Sequence, residues 1–157
     1  MVDKINILPE DNILIIAPHP DDESIGCGGL MILYPNQCDV LLITDGRHGH
    51  TGEYLGKEDE LVSIRKKEIL KALTHVKINT FYALDLPDGK TIENEDIVKN
   101  FNYNPYDYVF IPNRFDGNRD HAALFEILSK YKKNSANFKL VENLSLIHIS
   151  EPTRLRC

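Results

Sequence analysis

The sequence has no surplus of positive charge, no long hydrophobic run and few cysteines. Its formal net charge is −6 over 157 residues and it contains no basic run, which argues against a nucleic-acid partner. No stretch of about 18 apolar residues is present, so a membrane span is not expected. The three cysteines, Cys27, Cys38 and Cys157, show no paired spacing, and the first residues lack the layout of a secretory signal. We therefore expect free thiols in a reducing, cytoplasmic compartment.

Short aliphatic runs recur along the chain and define the predicted fold. Hydrophobic residues make up 42% of the sequence, which is enough for one domain with a core of its own. The runs are continuous more than alternating, as is typical of strands that are covered on both faces. They are NILIIA (12–17), CDVLLIT (38–44), NTFYALDL (79–86) and DYVFIP (107–112), and NFKLVEN (137–143) would begin a fifth strand.

The segments between these runs have helical character. Residues 59–76 place Val62, Ile69 and Leu73 on one side of a helix, which gives an apolar face at helical periodicity. Shorter helices are predicted over 26–34, 93–101 and 121–131. The alternation of strand and helix predicts an α/β fold, Rossmann-like, with a mostly parallel sheet and helices on both faces.

The polar segments that follow the strands hold nearly all the candidate catalytic groups. PHPDDE follows the first run, DGRHGH the second, PDG the third and NRFDGNRDH the fourth. Ligands of open α/β sheets bind outside the carboxyl ends of the strands. The sequence therefore predicts one functional site at that edge of the sheet.

A histidine and two aspartates come directly after the first run. His19 and Asp22, three positions apart in a turn, can offer an imidazole nitrogen and a carboxylate oxygen to one divalent transition metal. Catalytic zinc sites commonly use three protein ligands and leave a position for water, and His121 is the best candidate for the third. Asp21 could take a proton from a water that the metal activates. The alternative is an ordinary turn, in which Pro20 fixes φ and an aspartate caps the next helix.

Other polar positions admit two interpretations each. Arg65 interrupts the apolar face of the long helix, and it could pair with Glu68 at i+3 or reach into the pocket to hold a hydroxyl-rich or anionic substrate. GCGG at 26–29 does not fit the dinucleotide-binding fingerprint, and we expect its glycines to let the first helix pack closely beneath the site. His48 and His50 are expected to be exposed or to lie on a mobile lid, not to bind the metal.

The end of the sequence is expected to differ in origin from the rest. LSLIHISEPTR (144–154) resembles the translation of a transposase sequencing adapter, with all eleven residues in order. A natural C-terminal strand is the alternative. We expect residues 1–143 to form a single domain that is incomplete at its C-terminal end, and residues 144–157 to be a non-native tail.

The motifs together resemble the PIG-L/LmbE-like N-acetylglucosaminyl deacetylase family. APHPDDE, ITDG, R..E at 65–68, LDLPDG and P...DGNRDH occur in the family's order, from residue 12 to about residue 123. The first and last of these are specific in combination, whereas the middle ones are weak alone. The resemblance implies a Rossmann-like fold and a zinc ion that cleaves the acetamide of an N-acetylglucosamine unit.

The resemblance also implies roles for individual residues. Asp21 would be the general base and Arg65 a substrate contact, and the metal ligands would be His19, Asp22 and His121. Many members carry a histidine three residues before the last ligand, where this chain has Asn118. An asparagine can still donate a neutral hydrogen bond to an oxyanion, but it cannot supply an imidazolium.

The resulting hypothesis is a metal-dependent hydrolase that removes the acetyl group from an N-acetylated amino sugar. The cofactor would be Zn²⁺, with Fe²⁺ able to satisfy the same ligands, and the partner would be a small amino-sugar substrate. One alternative is a hydrolase of another small amide or ester. Another is a non-catalytic α/β module that binds a sugar or a nucleotide.

Overall fold

A five-stranded parallel sheet forms the centre of the molecule. The computed structural model describes residues 5–49, 52–115, 117–135 and 137–142; the predicted tail lies outside these ranges. The strands are β1 (Ile13–Ala17), β2 (Cys38–Thr44), β3 (Thr80–Leu86), β4 (Tyr108–Ile111) and β5 (Lys139–Glu142). They pair in the order β3-β2-β1-β4-β5, and every pairing is parallel. The predicted fold class and the fifth strand are confirmed.

Helices cover both faces of the sheet. They are α1 (Asp22–Leu33), α2 (Glu58–Val76), α3 (Glu95–Lys99), which a short 3-10 helix (Ile92–Asn94) precedes, and α4 (Arg119–Ser135). α1 begins four residues earlier than GCGG predicted, because its first turn is polar and the sequence pattern showed only its apolar part. Among the described helices, none has the length and apolar character needed to cross a bilayer.

Alternate residues of the central strands pack into two separate hydrophobic cores, one on each face of the sheet. Ile13 and Ile15 of β1 join Ile69 of α2 on one face, whereas Leu14 joins Leu124 of α4 on the other face. Successive side chains of a strand point to opposite faces, so a strand covered on both faces must be apolar throughout. This explains why the runs are continuous, and β1, β2 and β4 are buried along their whole length.

The strand order places the carboxyl ends of β1 and β4 side by side. The chain leaves β1 for a helix on one face and leaves β4 for a helix on the other, so a crevice opens between the two strand ends. In doubly wound sheets this switch point is where ligands bind. The described segments that enter it here are 18–22, 112–115 and 117–121.

The glycines of α1 do not have the packing role that the sequence suggested. A Cβ added to Gly28 or Gly29 would meet no heavy atom within 4 Å. The expectation of close packing beneath the site is therefore wrong at these two positions. The glycines with no room for a side chain lie instead in the loop after β2, described below.

Candidate active site

The six candidate site residues from the sequence all line one cleft at the switch point. They are His19, Asp21, Asp22, Arg65, Asn118 and His121. The cleft has a volume of about 430 Å³. Its lining comprises His19, Asp21, Asp22, His48, Gly49, Arg65, Asp88, Asn118 and His121. Most of these side chains are polar or charged, and residues distant in sequence meet here because parallel strands end at the same edge.

Two imidazoles converge on one carboxylate at the floor of the cleft. Asp22 Oδ2 lies 3.2 Å from His19 Nδ1 and 3.1 Å from His121 Nε2. Each of the three side chains can offer one ligand atom to a metal ion, and these atoms all lie within 4.8 Å of one another. In a tetrahedral site with bonds of about 2.0–2.1 Å, neighbouring ligand atoms lie roughly 3.3 Å apart. The donor set and its spacing therefore fit a divalent transition metal.

A second layer of carboxylates holds the far side of the His19 ring. His19 Nε2 lies 3.1 Å from Asp120 Oδ2 and 3.3 Å from Asp88 Oδ1. The backbone N–H groups of Gly89 and Thr91 donate to Asp120 at 2.8 and 3.1 Å. A carboxylate on the outer nitrogen of a ligating histidine fixes its tautomer and ring orientation. His19, Asp88 and Asp120 also form a second group that could hold a metal.

The charges around His19 favour its protonated form in the metal-free chain. Burial lowers the pKa of His19, but hydrogen bonds to Asp120, Asp22 and Asp88 outweigh burial and raise it to about 11. Burial raises the pKa of Asp22, and hydrogen bonds from His121 and His19 more than reverse this, so the net shift is downward. At neutral pH the site therefore holds an imidazolium between carboxylates, with a proton where a metal would bind.

Metal binding is consequently expected to release a proton from His19 Nδ1. A metal ligand must be unprotonated, while Nε2–H can continue to donate to Asp120. Because the folded pKa of His19 is raised above neutrality, the apparent zinc affinity should increase about tenfold per pH unit between pH 6 and 8. Calorimetry in buffers of different ionisation enthalpy measures the released proton. An affinity that does not change with pH, without proton release, would contradict this assignment of charge.

Asp21 lies at the mouth of the cleft in an unusual backbone conformation. Its φ is 137° and its ψ −26°, a region that favours glycine. It occupies the N-cap position of α1, but its side chain makes no capping hydrogen bond. The N–H of Asp21 donates instead to the buried carboxylate of Glu23 at 3.1 Å. The alternative interpretation of Asp21 as a helix-capping side chain is therefore wrong.

Arg65 connects Asp21 with the loop that follows β2. Its Nη2 donates to Asp21 Oδ2 at 2.9 Å and to the carbonyl of Pro20 at 2.6 Å, and its Nη1 donates to the carbonyl of Gly46 at 2.9 Å. Burial raises the pKa of Asp21, and the Arg65 guanidinium opposes this shift. Arg65 lines the cleft, and its described partners are on other loops instead of at Glu68.

The fit between Arg65 and the loop depends on glycine. Gly46 has φ +66°, and a Cβ there would lie 2.6 Å from Arg65 Nη1 and 2.7 Å from Pro20 Cδ. We expect Gly46→Ala to lower the free energy of unfolding by about 1–3 kcal/mol. Gly29→Ala is the matched control, since it lies in a helix with open space around it, and should be neutral or stabilising by up to about 1 kcal/mol. Urea unfolding of both variants measures the difference, and equal stabilities would contradict the clash.

Asn118 and His48 face the cleft from two different loops. Asn118 Oδ1 accepts a hydrogen bond from the Asp120 N–H at 2.8 Å, so it caps α4 and orients its own amide. His48 is largely exposed, and its backbone N–H donates to Asp88 Oδ2 at 3.0 Å. His50 lies outside the described residues.

A comparison with family models identifies the family of the chain. The model of the PIG-L family, GlcNAc-PI de-N-acetylase, matches residues 14–132, well over half of the chain. The chain belongs to the PIG-L family. The matched segment begins in β1 and ends in α4, so it contains every residue of the cleft.

Curated relatives of this PIG-L chain carry deacetylase names. A probable N-acetyl-alpha-D-glucosaminyl L-malate deacetylase 2 of Bacillus subtilis is 34% identical over 92 residues, which cover 55% of this chain and 41% of that protein. A 1D-myo-inositol 2-acetamido-2-deoxy-alpha-D-glucopyranoside deacetylase of Kineococcus radiotolerans is 29% identical over 92 residues, covering 55% and 26%. The match thus spans less than half the length of these relatives.

Solved structures share the fold of the PIG-L chain. An N,N'-diacetylchitobiose deacetylase from Pyrococcus horikoshii superposes with a TM-score of 0.71 at 22% identity, over 87% of this chain and 61% of that one. A deacetylase of the antimicrobial A40926 pseudoaglycone gives a TM-score of 0.68 at 13% identity, over 91% and 68%. At these identities the likeness establishes the fold alone.

Three carboxylates of this PIG-L site, two of them buried and that of Asp88 half-buried, were not recognised from the sequence. Asp88 and Asp120 hold His19, and Glu23 holds the backbone of Asp21. Asp88 stood in the PDG segment at a strand end and Asp120 directly before a predicted ligand, so position was the available signal. Their burial was not predictable from residue type, because isolated aspartates and glutamates are usually exposed.

Proposed function

We propose that this chain provides the catalytic site of a metal-dependent N-deacetylase that acts on N-acetylated amino-sugar conjugates. The observation that supports this most is the meeting of two imidazoles and one carboxylate beside Asp21, in a cleft of a PIG-L chain. The deacetylase names of the relatives agree with the reaction class. We also propose residues 1–143 as the domain that carries the site.

The proposed metal ligands are His19, Asp22 and His121. We propose zinc, and ferrous iron suits the same imidazole and carboxylate donors. When bound, such an ion lowers the pKa of a coordinated water to about 7 and polarises a carbonyl oxygen. Asp120 and Asp88 would keep the His19 ring in the orientation that turns Nδ1 toward Asp22 and His121.

Asp21 is the proposed general base. Its carboxylate lines the cleft beside the ligands, and burial raises its pKa, which helps the group to hold a proton taken from water. Arg65 fixes one carboxylate oxygen of Asp21 at 2.9 Å. The position of the base is therefore set before the substrate arrives.

Asn118 and Arg65 are the residues proposed to donate hydrogen bonds to the substrate. The amide of Asn118, oriented by its bond to the Asp120 N–H, can donate to the acetyl oxygen as negative charge develops there. A guanidinium has five N–H donors, and three of those of Arg65 make the contacts described above. Sugar hydroxyls are suitable acceptors for its other donors.

Acetate release by the purified protein tests this function. The 157-residue chain should be loaded with zinc or ferrous iron and given N-acetylglucosamine conjugates, with acetate and free amine measured together. Equal amounts of both products, lost on chelation of the metal, are expected. Turnover of unrelated amides or esters instead would favour the general hydrolase, and metal-independent sugar binding without turnover would favour a binding module.

A further inference from the structure

The cleft contains an imidazole that the proposed mechanism does not use. Three imidazoles line the described cleft, and two of them, His19 and His121, are the proposed ligands. The third is His48, on the loop after β2. We infer that His48 donates the proton that the leaving amine requires, an inference that rests on the proposed deacetylase function.

Hydrogen bonds that involve Asp88, Asp45 and Arg65 fix the loop that carries His48. The N–H of His48 donates to Asp88 Oδ2 at 3.0 Å, and the other oxygen of Asp88 lies 3.3 Å from His19 Nε2. Asp45 accepts hydrogen bonds from the N–H of Asp88 and of Arg47, both at 3.2 Å, and so joins this loop to the loop after β3. His48 is thus tied to the proposed metal site through one carboxylate, which also lies 3.9 Å from Nδ1 of its largely exposed ring.

Arg65 fixes the other side of the same loop. It donates to the carbonyl of Gly46, and Gly49, which follows His48, packs so closely against the guanidinium that a side chain there would clash. The N–H of Gly49 donates to the carbonyl of Gly46 at 3.1 Å and closes the turn. The group that holds Asp21 therefore also sets the position of His48.

The other groups in the cleft are poorly suited to this proton transfer. Both ring nitrogens of His19 contact carboxylates, and His121 Nε2 contacts Asp22. Asn118 has no proton that it can give up at neutral pH. Oδ2 of Asp21 accepts a hydrogen bond from Arg65. The other carboxylate oxygen would therefore have to take the proton from water and then deliver it to the amine. Histidine is the side chain most often used for proton transfer in catalysis, and His48 lines the cleft with a largely exposed ring.

The proposed step balances in protons and electrons. Asp21 takes one proton from the attacking water, whose oxygen bonds to the acetyl carbon. When the carbon–nitrogen bond breaks, the electron pair stays on nitrogen, and the imidazolium of His48 gives nitrogen one proton. The products are acetic acid and the free amine, and the proton held by Asp21 returns through solvent to recharge His48.

Comparison of an amide with an activated ester tests this role. In the zinc-loaded 157-residue protein, His48→Gln should lower kcat for an N-acetylglucosamine conjugate about 100-fold, with KM changed less than about threefold. Hydrolysis of para-nitrophenyl acetate should change less than about threefold, because its leaving phenolate needs no proton. Metal content should be unchanged. His75→Gln, on an exposed histidine in the last turn of α2, is the matched control and should behave as wild type.

The possible outcomes separate the two proposals. A selective loss on the amide supports the role of His48, and His48→Asn should reproduce it. Equal losses on amide and ester, or no loss on either, in a wild type that releases acetate would overturn that role and leave the proposed function intact. A wild-type protein that holds metal but releases no acetate from amides would overturn both.

Discussion

His121→Ala is expected to lower the affinity for zinc by about a thousandfold and to abolish deacetylation. It removes one of three proposed ligands, and a loss of about 4 kcal/mol corresponds to that factor. The imidazole reaches the site from α4, 3.1 Å from Asp22 Oδ2. Metal content per chain, after dialysis at a fixed free zinc concentration, measures the effect. His75→Ala is the control, and circular dichroism should show that both variants are folded.

The two groups that could hold a metal predict different results for the neighbouring aspartate. If the metal binds His19, Asp22 and His121, Asp120 only supports His19, and Asp120→Asn should weaken binding about 10–100-fold. If the metal binds His19, Asp88 and Asp120, Asp120→Asn should be the more damaging change. A His121→Ala variant with wild-type zinc content would overturn the proposed ligand set.

The sequence was sufficient to predict the sheet and the edge where the site lies. The continuous apolar runs predicted β1, β2 and β4, because strands with a core on each face cannot alternate. His19 and His121 were linked by the rule that parallel strands end at one edge, not by their spacing of about a hundred residues. The prediction of the site therefore rested on the topology of the parallel sheet.

The contacts around the site were less predictable, and Arg65 shows why. From the sequence alone, only residues close along the chain can be judged as partners of a side chain, so Glu68 at i+3 was a plausible partner of Arg65. In the structure its described partners are Asp21, Pro20 and Gly46, on loops that only the fold brings near. The clash at Gly46 follows from the same contact. Such partners depend on loop paths, which no local pattern encodes.

The strained backbone at Asp21 predicts a conflict between stability and activity. A residue with a Cβ is unfavourable at φ 137°, whereas glycine tolerates it, and such strain costs of the order of 1–3 kcal/mol. Glu23, whose carboxylate accepts from the N–H of Asp21 at 3.1 Å, helps to hold this conformation. The conformation that places the proposed base in the cleft therefore lowers the stability of the fold.

Two substitutions isolate the backbone contribution at this position. Asp21→Gly and Asp21→Ala both remove the carboxylate and its pair with Arg65, so their difference reports the backbone strain set against the greater conformational entropy that glycine loses on folding. We expect the glycine variant to be more stable by about 1–2 kcal/mol in urea unfolding, the reverse of the usual order of these residues. An alanine variant as stable as the glycine variant would contradict the strain.

The same position should show the largest loss of activity without loss of metal. Asp21→Asn keeps the size of the side chain and a carbonyl oxygen for Arg65, but it cannot accept the proton from water. We expect kcat to fall about 10³-fold, within the usual range for a general base, while zinc content stays at the wild-type level. Wild-type kcat in this variant would exclude Asp21 as the base. Loss of zinc together with activity would instead place Asp21 among the groups that hold the metal.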